Sequence, residues 1–261
     1  MLKSFPLMSI SHPCVAVMWI CCEIVNRAAR PLAVSLLVVL LAGCVTQQSV
    51  NPDATPKFTA GGETILLMPI DVELFELTAG GLEDPRADWT EAAHRHVRSS
   101  LQKENARRGL RLVPFNDQGR SFEEAQELQQ IVKLHQAVGL AMLAHQRIPA
   151  LRLPTKKSLF DWSMGATLQP LRRGSDARYA LFVYIKDSYA SGGRVVMNIV
   201  TAALFGYARG GSQVGYATLV DLHTGQVAWF SSLARGTGDL RTAEAADEAI
   251  GVLLQNLPSS G

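Results

Sequence analysis

The sequence has little cysteine, and it has none after residue 44. Its four cysteines are Cys14, Cys21, Cys22 and Cys44. Everything that follows residue 44 therefore has no disulfide within it and no cysteine ligand for a metal. This excludes a disulfide-stapled secreted scaffold and a cysteine-ligated zinc module.

An excess of charge of one sign is also absent. The 261 residues contain 25 Lys and Arg against 23 Asp and Glu, a formal net charge of +2. So small an excess does not provide the basic field that nucleic-acid binding requires. The sequence also lacks a His-Glu-x-x-His helix, a Gly-x-Ser-x-Gly elbow, a P-loop and a Rossmann glycine pattern. We therefore expect no catalytic residue, no metal and no cofactor, and a protein that is not an enzyme.

A short apolar segment near the amino terminus has positive charges immediately before it. Arg27 and Arg30 precede an apolar run over 32–41. That run fits the core of a signal peptide and is about half the length that a membrane-spanning helix needs. We therefore predict a signal peptide over 1–43, and a protein exported across the inner membrane.

The end of this segment is Leu41-Ala42-Gly43-Cys44, which resembles a bacterial lipobox. The resemblance implies diacylglycerol on the sulfur of Cys44, cleavage before it, and acylation (palmitate or a similar chain) of the new amino terminus. Several acyl chains give durable membrane attachment. Position 45 is Val and not Asp, which by resemblance to sorting in Gram-negative bacteria implies the outer membrane, on its periplasmic face.

Residues 1–24 make this signal peptide unusually long. We interpret them as an extension upstream of the natural start, with translation beginning near Val25 through a valine codon. The alternative is a membrane segment over 13–41, which Glu23 and two arginines interrupt at a high free-energy cost.

The mature chain divides into a polar lead and one folded domain. Residues 44–62, rich in Thr, Gln, Asn and Pro, predict a flexible lipidated tether. Residues 63–258 form a single domain large enough to bury its own core. Hydrophobic periodicity predicts strands and helices in alternation, and therefore an α/β (α+β) fold with a mixed sheet of about five strands covered by helices, a terminal hairpin and a C-terminal helix. The predicted strands are 63–70, 110–115, 178–187, 213–221 and 226–231, the helices 89–108, 122–146, 157–173 and 241–256, and 71–88 a loop.

Three segments, in this order along the chain, resemble those of a group of bacterial envelope lipoproteins. They are the first strand at 65–70, a strand that follows a helix at 175–183, and the hairpin at 217–229. The group includes the curli secretion lipoprotein, the lipoprotein activators of penicillin-binding proteins and the N-terminal domain of the Tol translocation protein. The resemblance implies a compact periplasmic α/β domain. The chain lacks the long alternating hairpins of the curli channel, so we do not expect a pore.

The most distinctive segment of the domain is an apolar run between two glycine pairs, at 192–211. One interpretation is a crossover helix buried on the sheet. The other is a glycine-hinged flap that docks on a partner protein, a like subunit or the membrane interface. The residues expected to dock in the second interpretation are Val195, Val196, Ile199, Val200, Leu204 and Phe205.

A second, weaker candidate site is Asp187-Ser188-Tyr189 at the end of a strand. A carboxylate beside hydroxyls is compatible with an envelope hydrolase or a small-ligand receptor. The alternative is that Asp187 and Ser188 bond to the loop that follows. Our leading hypothesis is a non-catalytic outer-membrane lipoprotein, anchored by lipid on Cys44, that binds another envelope component or itself and does not bind nucleic acid.

Overall fold

We describe the fold from a computed structural model, which describes residues 45–51, 55–56, 63–116, 118–156, 159–173, 175–205, 211–236 and 238–257. The predicted signal peptide, its lipobox (Leu41, Ala42 and Gly43) and Cys44 lie outside these ranges.

Eight strands and five α-helices make up the described chain. The strands are β1 (Val45–Val50), β2 (Thr64–Leu67), β3 (Asp71–Leu77), β4 (Glu83–Pro85), β5 (Arg111–Pro114), β6 (Tyr179–Ala190), β7 (Gln213–Asp221) and β8 (Val227–Arg235). The helices are α1 (Ala87–Arg108), α2 (Phe122–Arg147), α3 (Gln169–Arg172), α4 (Gly192–Phe205) and α5 (Ala243–Leu253), with 3-10 turns at Pro149–Leu151 and Gly165–Leu168. The helix predicted over 157–173 is present only as the second 3-10 turn and α3.

The strands form one mixed sheet in the order β1-β8-β7-β6-β2-β5. Strand β6 is its longest member. It pairs antiparallel with β7 on one side, and on the other side parallel with β2 and then with β3. Strand β3 turns back antiparallel onto β4. The predicted mixed α/β sheet with a C-terminal helix is confirmed, with eight strands in place of about five.

The additional strands lie where the sequence predicted a loop and a tether. The expected loop at 71–88 contains β3 and β4. In β3 the apolar Val72 and Leu74 are buried and alternate with acidic residues, the period of two that a sheet requires. The expectation of a flexible tether over 44–62 is wrong for 45–50, because these residues pair along β8 as an edge strand.

Two hydrophobic layers lie on opposite faces of the sheet. Along β6, successive side chains alternate between them, as the pleat requires. Tyr179, Leu181, Val183 and Ile185 pack with helices α1 and α5. Ala180 and Phe182 pack on the other face with α2 and the segment 159–173. The long helix α2 begins with a capping box formed by Ser121 and Glu124. The N-cap of α1 is Arg86, which makes no side-chain capping bond.

Candidate functional site

Helix α4 leaves β6 after one intervening residue and carries its apolar side chains outward. Val195, Val196, Met197, Ile199 and Val200 are each 47–66% exposed. At 100° per residue they cover one continuous arc of about 200°. We call this surface, defined by these five residues, the outer face of α4.

The polar residues of the same helix are turned toward the protein. Arg194, Asn198 and Thr201 recur at the spacing of one helix face, and each is half-buried. Arg194 donates a hydrogen bond to the carbonyl oxygen of Ala79 at 3.4 Å, and the Thr201 hydroxyl donates to the Met197 carbonyl at 2.7 Å. The helix is thus inverted relative to an ordinary surface helix, which buries its apolar stripe.

This arrangement contradicts one of the two interpretations of the segment. The buried crossover helix is wrong, because Val195, Val196, Ile199 and Val200 are exposed rather than packed on the sheet. The side chains of Leu204 and Phe205 lie outside the described part of the chain. Met197, which the sequence analysis did not single out, belongs to the outer face because it lies on the same arc.

The pairing register fixes which end of the sheet carries α4. Val45 at the start of β1 lies opposite Ala234, which lies opposite Val214, which lies opposite Lys186. This row crosses β6 four residues before its last residue, Ala190. The beginning of β1 and the beginning of α4 therefore lie at the same end of the sheet.

A turn next to α4 adds a further exposed apolar residue at this end. Strand β3 runs parallel to β6, so the turn at 78–82 that follows it lies at the same end. The backbone N–H of Ser191 donates to the Leu77 carbonyl at 2.9 Å, which joins this turn to the helix. Leu82 in the turn is 74% exposed.

The Asp187 cluster lies beneath the same end, and it is buried. Asp187 is 1% exposed. Its Oδ2 accepts hydrogen bonds from the Tyr189 hydroxyl, from Gln213 Nε2 at 2.8 Å and from the Leu240 backbone N–H at 3.2 Å. The same N–H also donates to the Tyr189 hydroxyl oxygen at 2.7 Å. The carboxyl group therefore joins β6, β7 and the segment before α5.

The network continues from Gln213 to the surface. Arg235 Nε donates to Gln213 Oε1 at 2.7 Å, and its Nη1 forms an ion pair with Glu248 at 2.7 Å. A Cβ on Gly238 would lie 2.6 Å from Gln213 Nε2, so the amide packs directly against the glycine backbone. The sequence signal for this network was limited to Asp187 and Tyr189, because Gln213, Arg235 and Leu240 are far away along the chain.

Burial raises the pKa of Asp187, and the three hydrogen bonds only partly oppose this effect. Burial and the neighbouring carboxyl also raise the pKa of Tyr189. Both shifts favour the neutral forms of the two side chains, because burial disfavours the charged forms. Ser188 points elsewhere: its hydroxyl donates to the Ser212 carbonyl at 3.2 Å and accepts from the Ser212 N–H at 3.0 Å. The sequence predicted one cluster, but the structure separates Ser188 from the other two residues.

Helix α2 carries a buried histidine, His135, on the side that faces the sheet. His135 Nε2 lies 2.6 Å from Thr218 Oγ1, and its ring stacks on Phe182 with centroids 4.1 Å apart. Burial lowers its pKa to about 3, so the ring is neutral. Its neighbours are a hydroxyl and aromatic rings, so it serves as a core residue.

A shallow groove of about 460 Å³ lies at the carboxyl ends of the parallel strands β2 and β5. Such strand ends are common ligand positions in α/β sheets. Its lining is mainly apolar, with Arg98 and Gln102 of α1 at its side. No lining residue belongs to the Asp187 network.

The described residues contain no group of three or more His, Cys, Asp or Glu side chains that could hold a metal ion. Within the same residues, no helix is both long and apolar enough to cross a membrane.

Comparison with known proteins gives no family. No family model matches the chain, and no curated protein matches it. Solved structures similar to it include a PelC dodecamer from Paraburkholderia phytofirmans, at 13% identity over 81% of this chain and 97% of that one, with a TM-score of 0.36. They also include a PelC dodecamer with a Leu-to-Met substitution from the same organism, at 14% identity over 81% of this chain and 98% of that one, with the same TM-score.

Proposed function

We propose that the protein is a non-catalytic binding and assembly module, anchored by lipid on Cys44 to the periplasmic face of the outer membrane. The lipobox supports the anchor, and Val45 after the acylated cysteine supports the outer membrane. The binding role rests on the outer face of α4. The rest of the described chain leaves this apolar face exposed.

The size of this face supports a binding role. Fully burying a Val, Ile or Met side chain stabilises a protein by about 1.5–3 kcal/mol. Five such side chains, each about half exposed, leave roughly 5 kcal/mol that contact with an apolar surface would gain. Monomeric proteins leave single apolar residues exposed without consequence, whereas a continuous patch marks a contact site.

The bonding of Asp187 supports a role without catalysis. Its Oδ2 is occupied by three donors from the protein itself, and its burial closes it off from a substrate. A structural connection accounts for all three contacts. The alternative, an envelope hydrolase or small-ligand receptor built on Asp187 to Tyr189, has the raised pKa of Asp187 and its unpartnered Oδ1 in its favour. We do not adopt it, because the carboxyl group is buried and lines none of the grooves found among the described residues.

In-cell crosslinking tests the binding role. A photo-crosslinking amino acid is placed at Ile199, and in a matched strain at Arg107, which is exposed near the end of α1. Arg107 lies at the opposite end of the sheet, because α1 ends just before β5, whose start pairs with the start of β2. We expect a defined adduct at Ile199 alone, with a protein or a lipid of the envelope or with a second copy. Equal labelling at both positions, or none at either, would contradict a docking surface on α4.

A further inference from the structure

We propose that the outer face of α4 lies in the interface of the lipid bilayer, beside the acyl chains on Cys44, as a second membrane contact of the same domain. This inference rests on the proposed lipidation of Cys44. It identifies the lipid bilayer as the part of the envelope that α4 contacts.

The short connection between the lipid and the sheet is the first step. Cys44 is bonded to Val45, and consecutive Cα atoms are about 3.8 Å apart. Val45 is already paired with Ala234 in the sheet, and Asn51 at the other end of β1 donates its N–H to the Ala228 carbonyl at 3.1 Å. The acylated residue is therefore joined to an ordered edge strand without an intervening tether. Insertion of its acyl chains brings this end of the sheet to the membrane surface.

The register supplies the second step. Three strand spacings separate β1 from β6, a lateral distance of about 14 Å. Helix α4 begins just beyond the end of β6, so it meets the same membrane surface as the acyl chains. Leu82, in the turn that contacts the beginning of α4, is exposed at this end as well.

The orientation and length of the helix are the third step. Its 14 residues extend about 21 Å, too short to cross a bilayer but sufficient to lie in its interface. An interfacial helix needs its apolar arc outward and its polar stripe inward toward the protein, which is the arrangement of Arg194, Asn198 and Thr201. Another protein would also cover an apolar face. The position of the anchor at the same end favours the bilayer, because the lipid brings α4 to the membrane whether or not a partner is present.

Depth-dependent fluorescence quenching tests the inference on the full lipidated protein. The precursor is expressed with Ile199→Cys, purified as the mature protein in detergent, labelled with the environment-sensitive dye NBD and reconstituted into vesicles of phosphatidylethanolamine and phosphatidylglycerol. Acylation occupies the sulfur of Cys44, so the label reacts at the new cysteine. Arg107→Cys, prepared in the same way, is the matched control. The mass of the amino-terminal peptide is recorded for each preparation.

We expect doxyl-labelled lipids to lower the emission at position 199 by about twofold and aqueous iodide to have little effect there. At position 107 we expect the reverse. Iodide quenching at both positions in an acylated sample would overturn the bilayer contact and leave the lipoprotein intact. Protection at position 199 from both quenchers would overturn it in favour of a protein partner or a second copy. An amino-terminal peptide without lipid would overturn both the inference and the proposed anchor.

Discussion

Val45, the first residue of β1, lies opposite Ala234 near the end of β8, at the end of the sheet where helix α4 begins. This relationship joins two features that are about 150 residues apart in sequence: Cys44, the proposed lipidation site, which precedes Val45, and the exposed apolar helix α4. The proposed membrane contact of α4 depends on that juxtaposition.

The first prediction compares an exposed isoleucine with a buried one. Ile199 is 66% exposed on α4, whereas Ile185 is 0% exposed under α1 and α5. We expect Ile185→Ala to lower the free energy of unfolding by about 2–5 kcal/mol, because it leaves a cavity. Ile199→Ala, the matched change on the outer face, is expected to alter it by less than about 0.5 kcal/mol. Denaturant unfolding of the purified protein measures both, and equal losses would show that α4 is part of the core.

The second prediction concerns the glycine against Gln213. Gly238→Ala places a methyl group 2.6 Å from Gln213 Nε2, which displaces the amide from Asp187. We expect a loss of about 1–3 kcal/mol in the free energy of unfolding. Gly236→Ala is the control, because nothing lies within 4 Å of its added Cβ. If the two variants unfold alike, the Asp187 network does not depend on this packing.

The third prediction concerns the charge of Asp187. Its pKa is raised in the folded state, so its contribution to stability is complete below the unfolded pKa of about 4 and is lost as pH rises toward the folded pKa. Asp187→Asn keeps an oxygen that accepts the same hydrogen bonds but cannot ionise. The unfolding free energy of the variant relative to the native protein should therefore increase with pH above about 4. A difference that is constant from acid to neutral pH would contradict a buried carboxyl with a raised pKa.

The fourth prediction concerns His135. Its pKa falls from 6.5 to about 3 on folding, so the unfolded chain binds a proton that the folded chain does not. Its contribution is complete above the unfolded pKa and decreases as pH falls toward the folded value. Between about pH 6.5 and about pH 5 the native protein should lose about 1.5 kcal/mol relative to His135→Gln. Parallel pH profiles of the two proteins would show that His135 is accessible to protons in the folded state.

Much of the sheet could be predicted from the sequence, because its central strands are apolar and carry clear turn signals. The runs that became β2, β6, β7 and β8 stand out in this way. Strand β3 was missed because its acidic residues resemble a polar loop, although Val72 and Leu74 alternate with them. Strand β1 was missed because an edge strand with a polar sequence has no apolar pattern to reveal it.

The candidate site was predictable in its residues but not in its orientation. The apolar run at 195–205 was visible in the sequence, yet periodicity cannot say whether a helix with a wide apolar arc turns it inward or outward. The inward position of Arg194 is accompanied by its hydrogen bond to the Ala79 carbonyl, in a turn that was itself expected to be part of a loop. The Asp187 network could not be predicted from the sequence either, because Gln213 and Leu240 are distant along the chain and contact Asp187 only in the folded structure.

The most direct test of the whole account is the intact mass of the amino-terminal peptide of the mature protein isolated from bacterial outer membranes. We predict a peptide that begins at Cys44 and carries diacylglycerol on its sulfur and a third acyl chain on its amine. A mature chain that retains residues before Cys44, or a Cys44 without lipid, would contradict the anchor and with it the proposed function.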